Sequence, residues 1–255
     1  MRGAMATKLS AGLATLACAA LALSACRAVD PAPGARSASD PAPGRVLFVG
    51  NSFTFYNNGL HNHYRAMVRE RDGAAGQIRA LTLSGGKLGE HRAGLRQRLV
   101  EQRWDAVVLQ GHSNAPLTDP ATFDRDVGRY CDLIRAHGAR PLLFMTWAYT
   151  GRPEMTGALQ QLYCGAGARA DAAVVPVGLA FEELAGLHPE IDLRLADRKH
   201  PTPAGSYLAA CTLFAVLRDE SPIGLAYTAG LPETLVSALQ RTAWQTVQDF
   251  KARPR

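Results

Sequence analysis

The sequence predicts an α/β protein, a single three-layer α/β/α domain around a parallel sheet of five strands. Three observations carry this. Five short apolar runs recur along the chain, each is followed within two residues by Gly, Ser, Thr or Asn, and each then gives way to a longer amphipathic stretch. Continuous apolar strands separated by helices are the pattern of a parallel sheet buried on both faces. Residues 45–255, at the chain's overall 47% hydrophobic and 20% charged composition, are enough for one such domain.

In order, the predicted strands are 46–49, 78–83, 106–109, 142–145 and 173–177. The arginine-bearing stretch 92–103 reads as the wet face of a helix between the second and third. Two helices, 203–218 and 232–252, close the chain with no strand after them. Thr202 before Pro203 predicts an N-cap followed by proline at the first helical position. No internal repeat of solenoid length occurs.

Ahead of the domain lies an address. Arg2 and Lys8 precede an uncharged Ala/Leu-rich stretch, 9–23, of signal-peptide length, which ends in Leu23-Ser24-Ala25-Cys26. That ending resembles a bacterial lipobox. The resemblance implies cleavage behind Ala25, lipidation of Cys26, and a protein anchored by lipid in the bacterial cell envelope, on the periplasmic side or the outer surface. An ordinary cleavable signal is the alternative, and on either reading the protein leaves the cytoplasm. Residues 26–44 hold the near-repeat Asp-Pro-Ala-Pro-Gly at 30–34 and 40–44, the composition of an extended tether. The domain is therefore expected over 45–255.

The formal charge of +6 shrinks on inspection. Beyond residue 25 the chain holds 26 basic against 22 acidic residues, a net charge of +4. No Lys/Arg run and no basic stripe with interleaved aromatics occurs, which argues against nucleic acid as a partner. No G-x-G-x-x-G follows the first strand and no G-x-x-x-x-G-K-[ST] occurs anywhere, so nucleotide binding has no motif to support it. No cofactor and no metal is expected.

In open parallel sheets ligands sit beyond the carboxyl ends of the strands, so the residues just after each run carry the information. They are Gly50-Asn51-Ser52, then Ser84-Gly85-Gly86, then Gln110-Gly111-His112-Ser113-Asn114, and finally Asp197-Arg198-Lys199-His200 ahead of the capped helix. In this order they resemble the four blocks of the SGNH hydrolase superfamily, which supply Ser, Gly, Asn and Asp-x-x-His on a flavodoxin-like sheet. The resemblance covers the whole domain, and the stretch from His200 to Tyr207 is its most specific part. It implies an ester hydrolase with Ser52 as nucleophile, His200 as base and Asp197 as the group orienting it. The implied oxyanion donors are the Ser52 and Gly86 amides and the Asn114 side chain, with Gly85 and Gln110 as alternates. The third block departs from the usual Gly-x-Asn by one residue and is similar to that of sialate O-acetylesterase-like members. Asn51, His112 and Trp147 are expected in the substrate pocket.

The chemistry explains the residue types. A serine hydroxyl is a weak nucleophile until a neighbouring imidazole takes its proton, and a carboxylate holds that imidazole in the right tautomer. With an exported address, the expected substrate is a small acyl ester, O-acetyl on a carbohydrate first, with lipid esters and thioesters as alternatives. Gly111-His112-Ser113-Asn114-Ala115 is the rival, a near match to the G-x-S-x-G nucleophile elbow. It would make the chain an α/β-hydrolase attacking through Ser113. Only two runs precede the third, however, and Asp197 and His200 share one loop, both unlike that fold. A surface-anchored binding protein that kept the fold without turnover is a further alternative.

The remaining eye-catching residues receive plainer readings. His61 and His63 are spaced by two on a helix and do not share a face, so they are expected at solvent or a pocket rim. Tyr149 joins Trp147 as a possible pocket wall or core aromatic. Cys131 and Cys164 are a possible bridge between helices, and Cys211 reads as a buried helix residue.

Overall fold

A computed structural model describes residues 42–252. The signal, Cys26 and nearly all of the tether lie outside the described residues.

The chain runs β1 (Arg45–Gly50), α1 (Ser52–Phe55), α2 (Leu60–Asp72), β2 (Gln77–Thr82) and α3 (Arg92–Glu101), with a 3-10 turn, Leu88–His91, ahead of α3. It continues through β3 (Ala106–Gln110), α4 (Ala115–Thr118), α5 (Pro120–Ala136), β4 (Arg140–Phe144), α6 (Glu154–Arg169) and β5 (Ala173–Val175). Helices α7 (Val177–Leu187), α8 (Pro203–Arg218) and α9 (Glu233–Ala252) complete it. The five strands form one parallel sheet in the order β2-β1-β3-β4-β5. This is the predicted three-layer α/β/α fold.

Alternation along each strand splits the apolar residues between two cores. Val46, Phe48, Ala106, Val108, Leu142 and Phe144 face α2, α7, α8 and α9. Leu47, Val49, Val107, Leu109 and Leu143 face α3, α5 and α6. Helix α8 is buried at nearly every position because it packs against both α2 and α9 as well as α7. Its N-cap is Thr202, whose hydroxyl accepts from the Gly205 amide at 3.2 Å.

Two predicted strands differ from the observed ones. The fifth stops at Val175, because Pro176 has no N–H to give to a ladder and instead precedes α7. The second is the sheet edge: it pairs with β1 alone, and Gln77, Arg79 and Thr82 are exposed on it.

The order of the strands positions the site. From β1 the chain crosses to β2 on one side and then to β3 on the other, so β1 and β3 are neighbours at a topological switch point. The loops leaving their carboxyl ends hold Asn51-Ser52 and Gly111–Asn114, two of the predicted blocks.

Candidate active site

Ser52 begins α1, separated from the end of β1 by Asn51 alone. The turn is fixed by Asn51, whose Oδ1 accepts from the Phe53 amide at 3.2 Å and whose Nδ2 donates to Gly86 O at 3.1 Å. Gly50 is needed there, since a Cβ would lie 2.3 Å from Thr54 Oγ1 and 2.5 Å from Gln110 Oε1.

Ser52 Oγ lies 2.9 Å from His200 Nε2, and His200 Nδ1 is hydrogen-bonded to Asp197 Oδ2. With Asp197 ionised, Nδ1–H donates to the carboxylate and the Nε2 lone pair faces the Ser52 hydroxyl. The other carboxylate oxygen, Asp197 Oδ1, accepts from the backbone amides of Lys199 and His200, both at 3.0 Å. Desolvation would raise the Asp197 pKa. The His200 hydrogen bond and the two amides outweigh it and hold the carboxyl down at about 2.

The loop that carries both groups is braced on several sides. An isolated antiparallel bridge joins Arg194 and Pro201, and Leu195 N donates to His200 O at 2.8 Å. Trp147 Nε1 donates to Lys199 O at 2.9 Å, Thr150 N to Arg198 O at 2.9 Å, and Asn57 Nδ2 to Pro201 O at 2.8 Å. The imidazole itself is stacked on Tyr56 (centroids 4.5 Å apart, 17° between planes) and meets the edge of Phe53 at 5.7 Å. The histidine is therefore packed as well as hydrogen-bonded.

The predicted oxyanion donors have unequal places. The Ser52 N–H, at the first position of α1, makes no hydrogen bond within the described residues, and neither does that of Gly85. The Gly86 N–H is engaged in a turn to Leu83 O at 3.0 Å, so Gly85, at φ +64°, is the freer of the pair. Gln110 is 1% exposed and spent at both ends of its amide. Its Oε1 accepts from Asn51 N at 3.0 Å and Thr54 Oγ1 at 2.7 Å, while its Nε2 donates to Asn51 Oδ1 at 2.9 Å and to Gly111 O. Asn114 is the opposite case. Its Oδ1 is paired with His112 Nδ1 at 3.0 Å, which leaves Nδ2 as the free donor.

Of the three expected pocket residues, His112 lines a cavity of about 130 Å³ shared with Lys87, Leu88, Asn114 and Phe123. Asn51 is 2% exposed and bridges the first three blocks from within. Trp147 is fully buried, layered between Phe53 and Phe181 with both centroid distances 4.2 Å and both interplanar angles 2°. It braces the Asp197–His200 loop from the core and forms no pocket wall. The bracing residues Tyr56, Asn57 and Trp147 carry no motif. Their one sequence signal is that Phe53 and Tyr56 follow Ser52 closely.

Ser113 is buried, and its hydroxyl is paired with Tyr149 Oη at 2.7 Å. No histidine among the described residues is hydrogen-bonded to it, which argues against the elbow reading. Cys131 is a buried free thiol, so the Cys131–Cys164 bridge is not formed; Cys211 is buried and free. His63 is buried, with Nε2 on Asn57 O at 2.6 Å and Nδ1 on Tyr227 Oη at 2.9 Å. His61 lies near Arg65 and Arg79, and burial first, then those cations, pushes its ring down to about 4. No group of three His, Cys, Asp or Glu suited to a metal occurs among the described residues, and no helix among them is long and apolar enough to cross a membrane.

No family model matches the sequence, and no curated protein does. Solved structures do match. A protein from Slackia heliotrinireducens, described as a candidate SGNH hydrolase, superposes with a TM-score of 0.59 at 28% identity, over 69% of this chain and 98% of that one. A DUF4886 family protein from Bacteroides uniformis gives a TM-score of 0.66 at 18% identity, over 81% and 95%. An acetylxylan esterase from Geobacillus stearothermophilus gives 0.55 at 16%, over 69% and 95%. The last two speak to the fold alone. In fold and in the chain order of its Ser, Gly, Asn and Asp-x-x-His blocks, this chain is similar to the SGNH hydrolases.

Proposed function

We propose that the domain is a serine esterase that removes small acyl groups, O-acetyl foremost, from a carbohydrate. One observation carries the reading: Ser52, His200 and Asp197 form an unbroken hydrogen-bonded chain at the carboxyl edge of the sheet. His200 Nε2 takes the hydroxyl proton as Ser52 Oγ attacks the ester carbonyl. The resulting oxyanion is met by the Ser52 and Gly85 amides and by Asn114 Nδ2, each such donor being worth about 3 kcal/mol in systems of this kind. The imidazolium, stabilised by ionised Asp197, returns the proton to the departing alcohol. Water then repeats the cycle on the acyl-enzyme.

Two features favour a short acyl group on a sugar. The cavity beside His112 and Asn114, about 130 Å³, is well below the range of roughly 300–1,000 Å³ usual for larger ligands. Acetylxylan esterases are among the proteins of similar fold. The test is hydrolysis of 4-nitrophenyl acetate, octanoate and decanoate by the wild type. The expected result is a kcat/KM at least tenfold higher for acetate, and a preference for the long chains would move the assignment to lipid esters or thioesters.

Export and lipid anchoring belong to the same reading. Full-length protein expressed in a bacterium is expected in the membrane fraction, and Cys26→Ser in the soluble one. Equal partitioning of the two would remove Cys26 as the anchor.

A further inference from the structure

Like the cavity beside His112, a second one, about 630 Å³, includes no member of the triad. It is nevertheless walled by the continuation of both catalytic segments. Asn57 and Asn58 follow the Ser52 helix, and Pro203 follows His200. Asn57 joins the two, donating from Nδ2 to Pro201 O and to Ser206 Oγ, both at 2.8 Å. Tyr56, one residue earlier, is the ring stacked on His200. The opposite wall is the loop 226–230 ahead of α9.

We propose that this cavity is the subsite for the alcohol half of the ester, and that its occupant is an uncharged sugar unit. The inference rests on the esterase reading and adds to it the substrate's class and its place.

The lining chemistry selects the occupant. The polar side chains are Asn57, Asn58, His63, Tyr227 and Thr228, and none of the lining residues is Lys, Arg, Asp or Glu. Burial lowers the His63 pKa, which keeps the ring neutral at physiological pH. Amides, hydroxyls and a tyrosine ring suit a ligand rich in neutral hydroxyl groups. A carboxylate sugar would be taken from water with no cation to meet it, at a cost that selects against it.

The walls are also built in advance, as ligand clefts usually are. Glu70 accepts from the Ala226 and Tyr227 amides at 2.5 and 2.7 Å, and Tyr207 Oη donates to Tyr227 O at 2.6 Å. His63 spans the cleft, donating from Nε2 to Asn57 O and accepting at Nδ1 from Tyr227 Oη. Backbone strain concentrates here as well. Asn57 (φ 51°), Asn58 (φ 75°) and Ala229 (φ 54°) are three of the six non-glycine residues with left-handed φ among the described residues, and such strain gathers at ligand sites. The location fits the chemistry, because the alcohol departs on the side of the imidazolium that protonates it, and Tyr56, stacked on the His200 ring, and Asn57, bonded to Pro201 O, connect His200 to this wall.

The test has a binding arm that needs no turnover. Protein-observed NMR titration of the Ser52→Ala protein with xylotriose, cellotriose and trigalacturonate is expected to show at least one neutral trisaccharide bound and no trigalacturonate. Ala226→Trp, which fills an exposed part of the wall, is expected to weaken that binding at least tenfold. Tyr227→Phe, a milder change, is expected to weaken it severalfold. Failure of every neutral trisaccharide to bind, tighter binding of trigalacturonate, or unchanged affinity in both variants would overturn the subsite. In the kinetic arm, Ala226→Trp in the active protein is expected to lower kcat/KM on acetylated xylo-oligosaccharides at least tenfold more than on 4-nitrophenyl acetate. Equal losses on both substrates would also overturn it. Absence of all esterase activity alongside intact trisaccharide binding would instead sink the esterase reading and leave the sugar site standing.

Discussion

Ser52 and Ser113 occupy equivalent places in the fold. Each follows a strand, β1 or β3, and the two strands are neighbours at the switch point. Their surroundings differ. Ser52 is half-buried with its hydroxyl 2.9 Å from an imidazole, whereas Ser113 is buried with its hydroxyl 2.7 Å from a phenol. A phenol has an ordinary pKa near 10 and is no proton acceptor at neutral pH, while an imidazole near 6.5 is one. A strand-end position therefore supplies the setting for a nucleophile, and the partner decides whether the serine becomes one.

The comparison can be broken most directly at Ser52. Ser52→Ala is expected to lower kcat on 4-nitrophenyl acetate by about 10⁴-fold or more, measured with active-site-free protein as the baseline. A loss of that size at Ser113 would reverse the roles. Asp197→Asn comes next, at about 10²- to 10⁴-fold, because the amide no longer fixes the imidazole tautomer. Steady-state kinetics should show this loss in kcat, with KM little changed.

Trp147→Phe sharpens the contrast between a braced and an unbraced serine. It keeps an aromatic layer between Phe53 and Phe181 but deletes the donor to Lys199 O. The expected result is a destabilisation of about 1–2 kcal/mol by denaturant unfolding, with a several-fold fall in kcat as the His200 loop loosens. Unchanged activity would mean that the brace serves folding alone. Ser113→Ala is expected to have the smallest effect. It removes one hydrogen bond to Tyr149, costs about 1 kcal/mol, and leaves activity within about threefold.

Asp197 also marks the acid limb of stability. Its pKa falls from the ordinary 3.8 to about 2 on folding. A depressed folded-state pKa contributes stability that is complete above about pH 4 and fades as pH falls toward 2. Urea midpoints measured between pH 5 and 2 should therefore drop less steeply in Asp197→Asn than in the wild type. Parallel curves would mean that the His200 contact contributes nothing on that limb.

The parts legible in the sequence are those written in short stretches. Each core strand shows as an apolar run because both its faces are buried, and the run at 78–83 misled only where the sheet edge leaves Arg79 exposed. The hydrogen-bonded arrangement of Ser52, Asp197 and His200 was legible because each stands in a local block and the aspartate and histidine share one loop. The oxyanion side was legible only to the level of candidates. Gln110 and Asn114 are both carboxamides after β3, and what separates them is that Asn51 and Thr54, more than fifty residues away, consume the Gln110 amide. Trp147 invited a pocket reading because a large aromatic after a strand fits either a wall or a core. Its contacts with Phe53, Phe181 and Lys199 span 34 to 94 residues of chain, and no local pattern records them.

The most direct measurement is covalent trapping of the nucleophile. Wild-type protein treated with a fluorophosphonate, digested and sequenced by mass spectrometry should carry one adduct, on Ser52, and Asp197→Asn should label far more slowly. An adduct on Ser113, or no serine adduct at all, would contradict the account.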